Sequence, residues 1–193
     1  MTITNGYATL QEFKNYKNIS STDATDDSVI EDIIETVSRY IDRKTGRTFY
    51  ARTATKYYDV PIGLTLCLDE DLLSVTKLLN GDGSEIVSAN YILIPPNSAP
   101  YHSIRLKTGS GIIWVSDNGE TESVISVAGS WGYSSTTPDD IKGITLEIAA
   151  NIYARRSGQG AEAATITGAG VVLQPKDVSG FAHDVLAAYR RIY

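Results

Sequence analysis

Two strongly periodic helical segments, at residues 26–44 and 138–156, bracket a stretch from 51 to 133 in which the hydrophobic period drops to two. A chain with this layout folds as a helical platform interrupted by β-structure, an α+β architecture. In the first segment Val29, Ile30, Ile33, Ile34, Val37, Tyr40 and Ile41 follow the spacing of one helix face, and Glu31, Asp32, Glu35 and Arg39 occupy the other. Thr25 is the expected N-cap, Asp26 and Asp27 suit the first turn, Arg43 and Lys44 suit the last, and Gly46 supplies the stop. The second segment opens at Thr137-Pro138-Asp139-Asp140 and carries Ile141, Ile144, Ile148, Ala149, Ile152 and Tyr153 as its stripe.

Two shorter helices complete the platform. Thr9 with Glu12 three residues on is a capping box and predicts a helix near 9–17, with Leu10, Phe13 and Tyr16 facing the core. The last helix is expected over 179–193, with Phe181, Val185, Leu186, Tyr189 and Ile192 on one side. The expected organisation is a helical domain of 1–50 plus 134–193, an inserted β domain of 51–133, and an extended, flexible arm at 158–178.

Within the insertion the predicted strands are 53–60, 64–68, 73–80, 85–94, 103–107, 111–116 and 122–128. Asn80-Gly81-Asp82-Gly83 is the clearest hairpin turn, because consecutive positive-φ positions favour glycine, asparagine and aspartate. An antiparallel β sandwich or small barrel is the expected outcome.

Composition narrows the function. Seventeen basic against 23 acidic residues give a net charge of −6, the wrong sign for a surface that grips phosphates. Negative charge lining a conduit would instead keep a duplex from adhering to the wall, and Asp23, Asp26 and Asp27 are the expected contributors. No apolar run is long enough to span a membrane, and MTITNGYATL lacks the features of a signal peptide, so synthesis in a cytoplasm is expected.

Candidates for chemistry are few. Cys67, the single cysteine, sits in an alternating apolar strand and reads as core, so a hydrolase pairing it with His102 or His183 is a weak rival. The segment from Asn80 resembles the start of a calcium loop, but Glu85 and Tyr91 stand where glycine and a bidentate glutamate are needed. The glycines at 158, 160, 168 and 170 match no nucleotide-binding fingerprint, and one cysteine with two histidines is too few for zinc. No catalytic residue, cofactor or metal is expected. Twelve tyrosines and two tryptophans leave a carbohydrate or cell-surface binding module as the alternative, though most lie where packing explains them.

The strings Tyr7-Ala8-Thr9-Leu10-Gln11-Glu12-Phe13-Lys14, Asp26-Asp27 and Ile41-Asp42-Arg43-Lys44-Thr45-Gly46-Arg47-Thr48-Phe49 resemble the N-terminal half of the head-tail connector proteins of tailed bacteriophages. Leu72-Leu73-Ser74-Val75-Thr76-Lys77-Leu78, Gly129-Ser130-Trp131-Gly132-Tyr133, Pro138-Asp139-Asp140-Ile141-Lys142 and Tyr153-Ala154-Arg155-Arg156 resemble the longer members that carry a β insertion. Val185-Leu186-Ala187-Ala188-Tyr189-Arg190 resembles their terminal helix. The resemblance implies a non-enzymatic adaptor, or head-completion protein, in the virion neck. Such a protein docks as a ring of about twelve copies on the portal, meets a downstream stopper or tail protein, and lets genomic DNA pass without specific binding.

One stretch adds a partner-binding expectation. Val171, Val172, Leu173 and Gln174 form a short β-prone run in a long unpatterned segment, and are expected to add a strand to a neighbouring subunit or to the portal. Phe181 and Tyr189 are the other candidates for partner contact.

Overall fold

The computed structural model describes residues 3–156 and 175–191. The chain divides into two compact units, Met1–Arg47 with Thr137–Tyr193, and Thr48–Thr136.

In the first unit α1 (Leu10–Lys17) begins with the expected capping box, in which Thr9 Oγ1 accepts from Glu12 N and the Glu12 carboxylate accepts from Thr9 N. α2 (Asp27–Thr45) buries Ile30, Ile33, Ile34, Val37 and Ile41, the stripe its period predicts, and ends at Gly46 with φ 67°. Its N-cap is Asp26 rather than Thr25, and Asp26 makes no capping bond because its carboxylate is engaged by α3. α3 (Asp139–Arg156) packs along α2 and buries Ile141, Ile144, Ile148, Ala149 and Ile152.

Ahead of α1, Tyr7 lies buried along α2, its N–H donating to Ser38 Oγ and its hydroxyl to Asp42. α4 (Gly180–Ala188) is capped by Ser179 and buries Ala182 and Leu186. Two expected core positions are therefore corrected: Phe181 is 65% exposed and Tyr16 is 52% exposed. Each sits one step round its helix from the buried row, where aliphatic or aromatic character alone does not distinguish core from rim.

The second unit is a single open antiparallel sheet, not a sandwich or closed barrel. β1 (Arg52–Tyr58), β2 (Thr65–Leu79), β3 (Tyr91–Ile94), β4 (Tyr101–Leu106) and β5 (Ile125–Trp131) lie in the order β1-β5-β2-β4-β3. β1 and β3 are unjoined edges, so closure does not occur. The expected strands 64–68 and 73–80 are one long β2, whose early residues pair with β4 and later residues with β5, with register shifts between them. The acidic run Asp69-Glu70-Asp71 mimics a turn in the sequence. It continues the strand because Lys56 and Tyr58 bind Asp69, Arg52 and Lys56 bind Glu70, and Asp71 is buried with its carbonyl accepting from Gly132 N.

Residues 111–116 are not a strand. Asn80, buried in the predicted hairpin turn, holds them instead: its Nδ2 donates to Ile113 O at 2.9 Å and its Oδ1 accepts from Val115 N at 3.0 Å. Of the expected strand 85–94 only Tyr91–Ile94 is extended ladder, since Ser88–Asn90 forms a 3₁₀ turn. These off-ladder segments place Ile86 and Trp114 in the core beside Leu66, Leu72, Ile104, Val127 and Trp131, completing it without a second sheet.

Gly129 and Gly132 explain why their motif needs glycine. A Cβ on Gly129 would lie 2.1 Å from Ser74 O, and Gly132 at φ +134° would place one 2.2 Å from Tyr50 O. Close backbone approach on both sides of Trp131 seats its indole, which donates to Ala54 O at 3.0 Å.

Candidate functional site

Among the described residues, charged clusters and strand edges are the candidate functional surfaces. At the start of α2 the three aspartates have different fates. Asp23 is exposed, accepts from Thr25 N at 3.1 Å, and the bond from Thr25 holds its carboxyl below the usual range. Asp26 accepts from Tyr153 Oη at 2.7 Å and from Arg156 at 3.0 Å, and these two partners, the tyrosine first, also keep it below the usual range. Asp27 pairs at 2.6 Å with Lys14, a buried lysine whose ammonium also donates to Asp23 O at 2.8 Å. Asp26 and Asp27 thus join helices as well as carrying charge. Sequence reading missed Lys14, since a lysine in the last turn of a short helix reads as a solvated dipole partner.

The last turn of α3 is a second cluster. Arg155 pairs with Asp177 at 2.6 Å, both nearly buried, and Asn151 Nδ2 donates to Asp177 O at 3.0 Å. With Arg156 bound to Asp26, the residues that flank 157–174 on both sides are fixed to this one turn. Val171, Val172, Leu173 and Gln174, and most of the arm expected at 158–178, lie outside the described residues.

Phe181 and Tyr189 are described. Phe181 is exposed on α4, whereas Tyr189 is tied in, its hydroxyl donating to Asp140 at 3.0 Å and its carbonyl accepting from Arg47 Nε at 2.7 Å.

In the sheet unit, Lys56 reaches both Asp69 oxygens and Glu70, its ammonium 5.0 Å from the Trp131 ring centroid. Burial works against ionisation of Asp69, but the Tyr58 hydroxyl at 2.6 Å and the Lys56 ammonium outweigh it and its carboxyl stays below the usual range. The same burial and carboxylate push the Tyr58 phenol far above its ordinary range. The network is mutually satisfied and has the form of a structural clasp.

Cys67 is exposed, which corrects its reading as core: Leu66 and Leu68 point inward and the alternation turns Cys67 out. Among the described residues it has no hydrogen bond to either histidine, and no group of three or more metal-ligating side chains exists. Both tryptophans are buried, so the exposed aromatic of this unit is Tyr57, 64% exposed on β1. No described helix is long and apolar enough to cross a membrane.

Comparison with known proteins finds likeness at the level of structure. No protein-family model matches the chain, and no curated protein sequence matches it. A chain in the neck of an empty GTA particle, computed with C6 symmetry, superimposes with a TM-score of 0.58 at 16% identity, covering 100% of this chain and 94% of that one. A chain in the virion of the native gene transfer agent (GTA) particle gives a TM-score of 0.59 at 14% identity, with the same coverage. The protein therefore shares, over its whole length, the α+β fold of chains that occur in the neck and virion of gene transfer agent particles.

Proposed function

We propose that this chain is a structural protein of the neck of a phage-like particle, an adaptor that forms a ring on the portal and joins the DNA-filled head to the next connector component. The observation that carries the reading is the end-to-end structural likeness to a GTA neck chain, insertion included. A ring of about twelve copies fits the sixfold symmetry of that neck, and heterologous contacts of one surface patch with another close such a ring. The functional chemistry is then contact rather than turnover. Asp23, with the outward-facing remainder of the acidic cluster, is proposed to face the DNA channel and repel the duplex.

Residues 157–174, flanked by the Arg156 to Asp26 and Arg155 to Asp177 anchors, are the proposed attachment segment. The test is to add the protein to portal-bearing heads that lack it, then sediment them. The intact chain should co-sediment and support tail joining, while deletion of 160–174 should abolish attachment without altering the circular dichroism spectrum. Unchanged attachment by the deletion variant would remove the segment from the proposal, and failure of the intact chain to bind heads would overturn the adaptor reading.

A further inference from the structure

β1 is an edge strand without the usual safeguards. Among the described residues it pairs with β5 alone, through seven consecutive register partners from Arg52 with Trp131 to Tyr58 with Ile125, and no bulge interrupts them. Its other side is the edge of the described sheet, and Thr53, Thr55 and Tyr57 are exposed along the strand. Natural edges are blunted by brevity, proline, bulges or an outward lysine. Here β1 has no proline, and its two cations turn away: Lys56 lies over Trp131 and binds Asp69 and Glu70, and Arg52 binds Glu70 at 2.5 Å. The opposite edge, β3, has four residues and runs into Pro95-Pro96. The asymmetry marks β1 as an edge kept open.

We propose that the free edge of β1 receives residues 170–174 of a second copy as an added strand. This rests on the ring reading above and names its subunit contact. The occupant follows from the part of the chain outside the described residues and from where that part begins and ends. It leaves α3 after Arg156 and returns at Asp177, which is bound to Arg155, so it starts and finishes at one turn of one helix. Counted back from Asp177, residues 174 to 170 can lie at most roughly 10 to 24 Å from that turn. Its sequence has one charge, Glu162, and ends in Gly170-Val171-Val172-Leu173-Gln174, an uncharged run with two β-branched valines. Main-chain hydrogen bonds would supply the affinity, and whichever of Val171 and Val172 falls on the face of Thr53, Thr55 and Tyr57 makes a favourable cross-strand pair there. With Arg52 and Lys56 as its charged residues, β1 has no acidic side chain to repel Glu162.

The test is disulfide trapping between two different molecules. Full-length Thr55→Cys protein, with Cys67→Ser to remove the native thiol, is mixed with full-length chains carrying a single cysteine at 171, 172, 173 or 174 in the same Cys67→Ser background. Trapping is done on the concentrated free protein and on any particle-bound protein. Circular dichroism and unchanged thermal midpoints of the single variants establish that they fold. Cross-linked dimers should form with yields that alternate along 171–174, adjacent positions differing by roughly tenfold, because neighbouring residues of a strand face opposite sides of a sheet. Absence of cross-links in both settings overturns the proposal, as does a flat yield profile. Trapping only within one chain, in a variant carrying both cysteines, also overturns it by making the occupant the chain's own segment. Alternating cross-links in a protein that never binds heads would refute the adaptor reading and leave this contact standing, whereas head attachment without cross-links does the reverse.

Discussion

Asn80 shows how much one side chain can organise. It is 4% exposed, sits in the turn after β2, and bonds Ile113 O, Gly81 N and Val115 N, so it stands in for a neighbouring strand to residues 111–116. Asn80→Ala leaves those backbone groups without their partner and should cost about 2 kcal/mol in chemical denaturation. The sequence marks Asn80 as a turn residue but does not show its second role, because a long-range side-chain to backbone bond has no period. Cys67 is the opposite lesson. Its apolar neighbours made it read as core, yet strict alternation between Leu66 and Leu68 already assigns it to the other face. Asp177 is a buried charge: removing it takes a carboxylate from Arg155, which is 9% exposed, and Asp177→Ala should destabilise the helical unit by about 3 kcal/mol. A variant within a few tenths of a kcal/mol of wild type in urea titration would remove the anchor from this account.

At the scale of elements, the helices were legible because each announces its period, although α4 stops at Ala188 short of the expected 193 and α2 is capped by Asp26 in place of Thr25. The Thr9 to Glu12 box, the α2 stripe and the Gly46 stop all appear where the residues specify them. The strands were less so. β2 runs through Asp69-Glu70-Asp71 because partners distant in sequence neutralise or bury those carboxylates, and such partners cannot be read from a local window.

The joint between α2 and α3 at Asp26 makes a pH-dependent prediction. Its folded-state pKa lies below the 3.8 of an ordinary aspartate, so its contribution to stability is full above that value and disappears as pH falls through the lowered one. Wild type should therefore exceed Asp26→Asn in stability by about 1 kcal/mol at pH 7, a modest margin because the pair is about one-third exposed. The difference should shrink below about pH 4. A difference that stays constant down to pH 2 would mean the carboxylate's charge is not what joins the helices.

For the whole molecule, the α+β fold class was visible in the change of period, and the resemblance to connector proteins rested on hydrophobic and capping patterns spread over most of the chain. The sheet's open form was not visible, because whether edge strands meet depends on bulges and on side-chain substitutes such as Asn80. An open sheet has an edge to offer, which suits the proposed role of repeated contact with copies of itself. The most direct measurement is electron cryomicroscopy of mature particles assembled with this protein. The account predicts a ring of its density between portal and tail, with both units resolved in every subunit. Particles whose neck is complete without it would contradict the account.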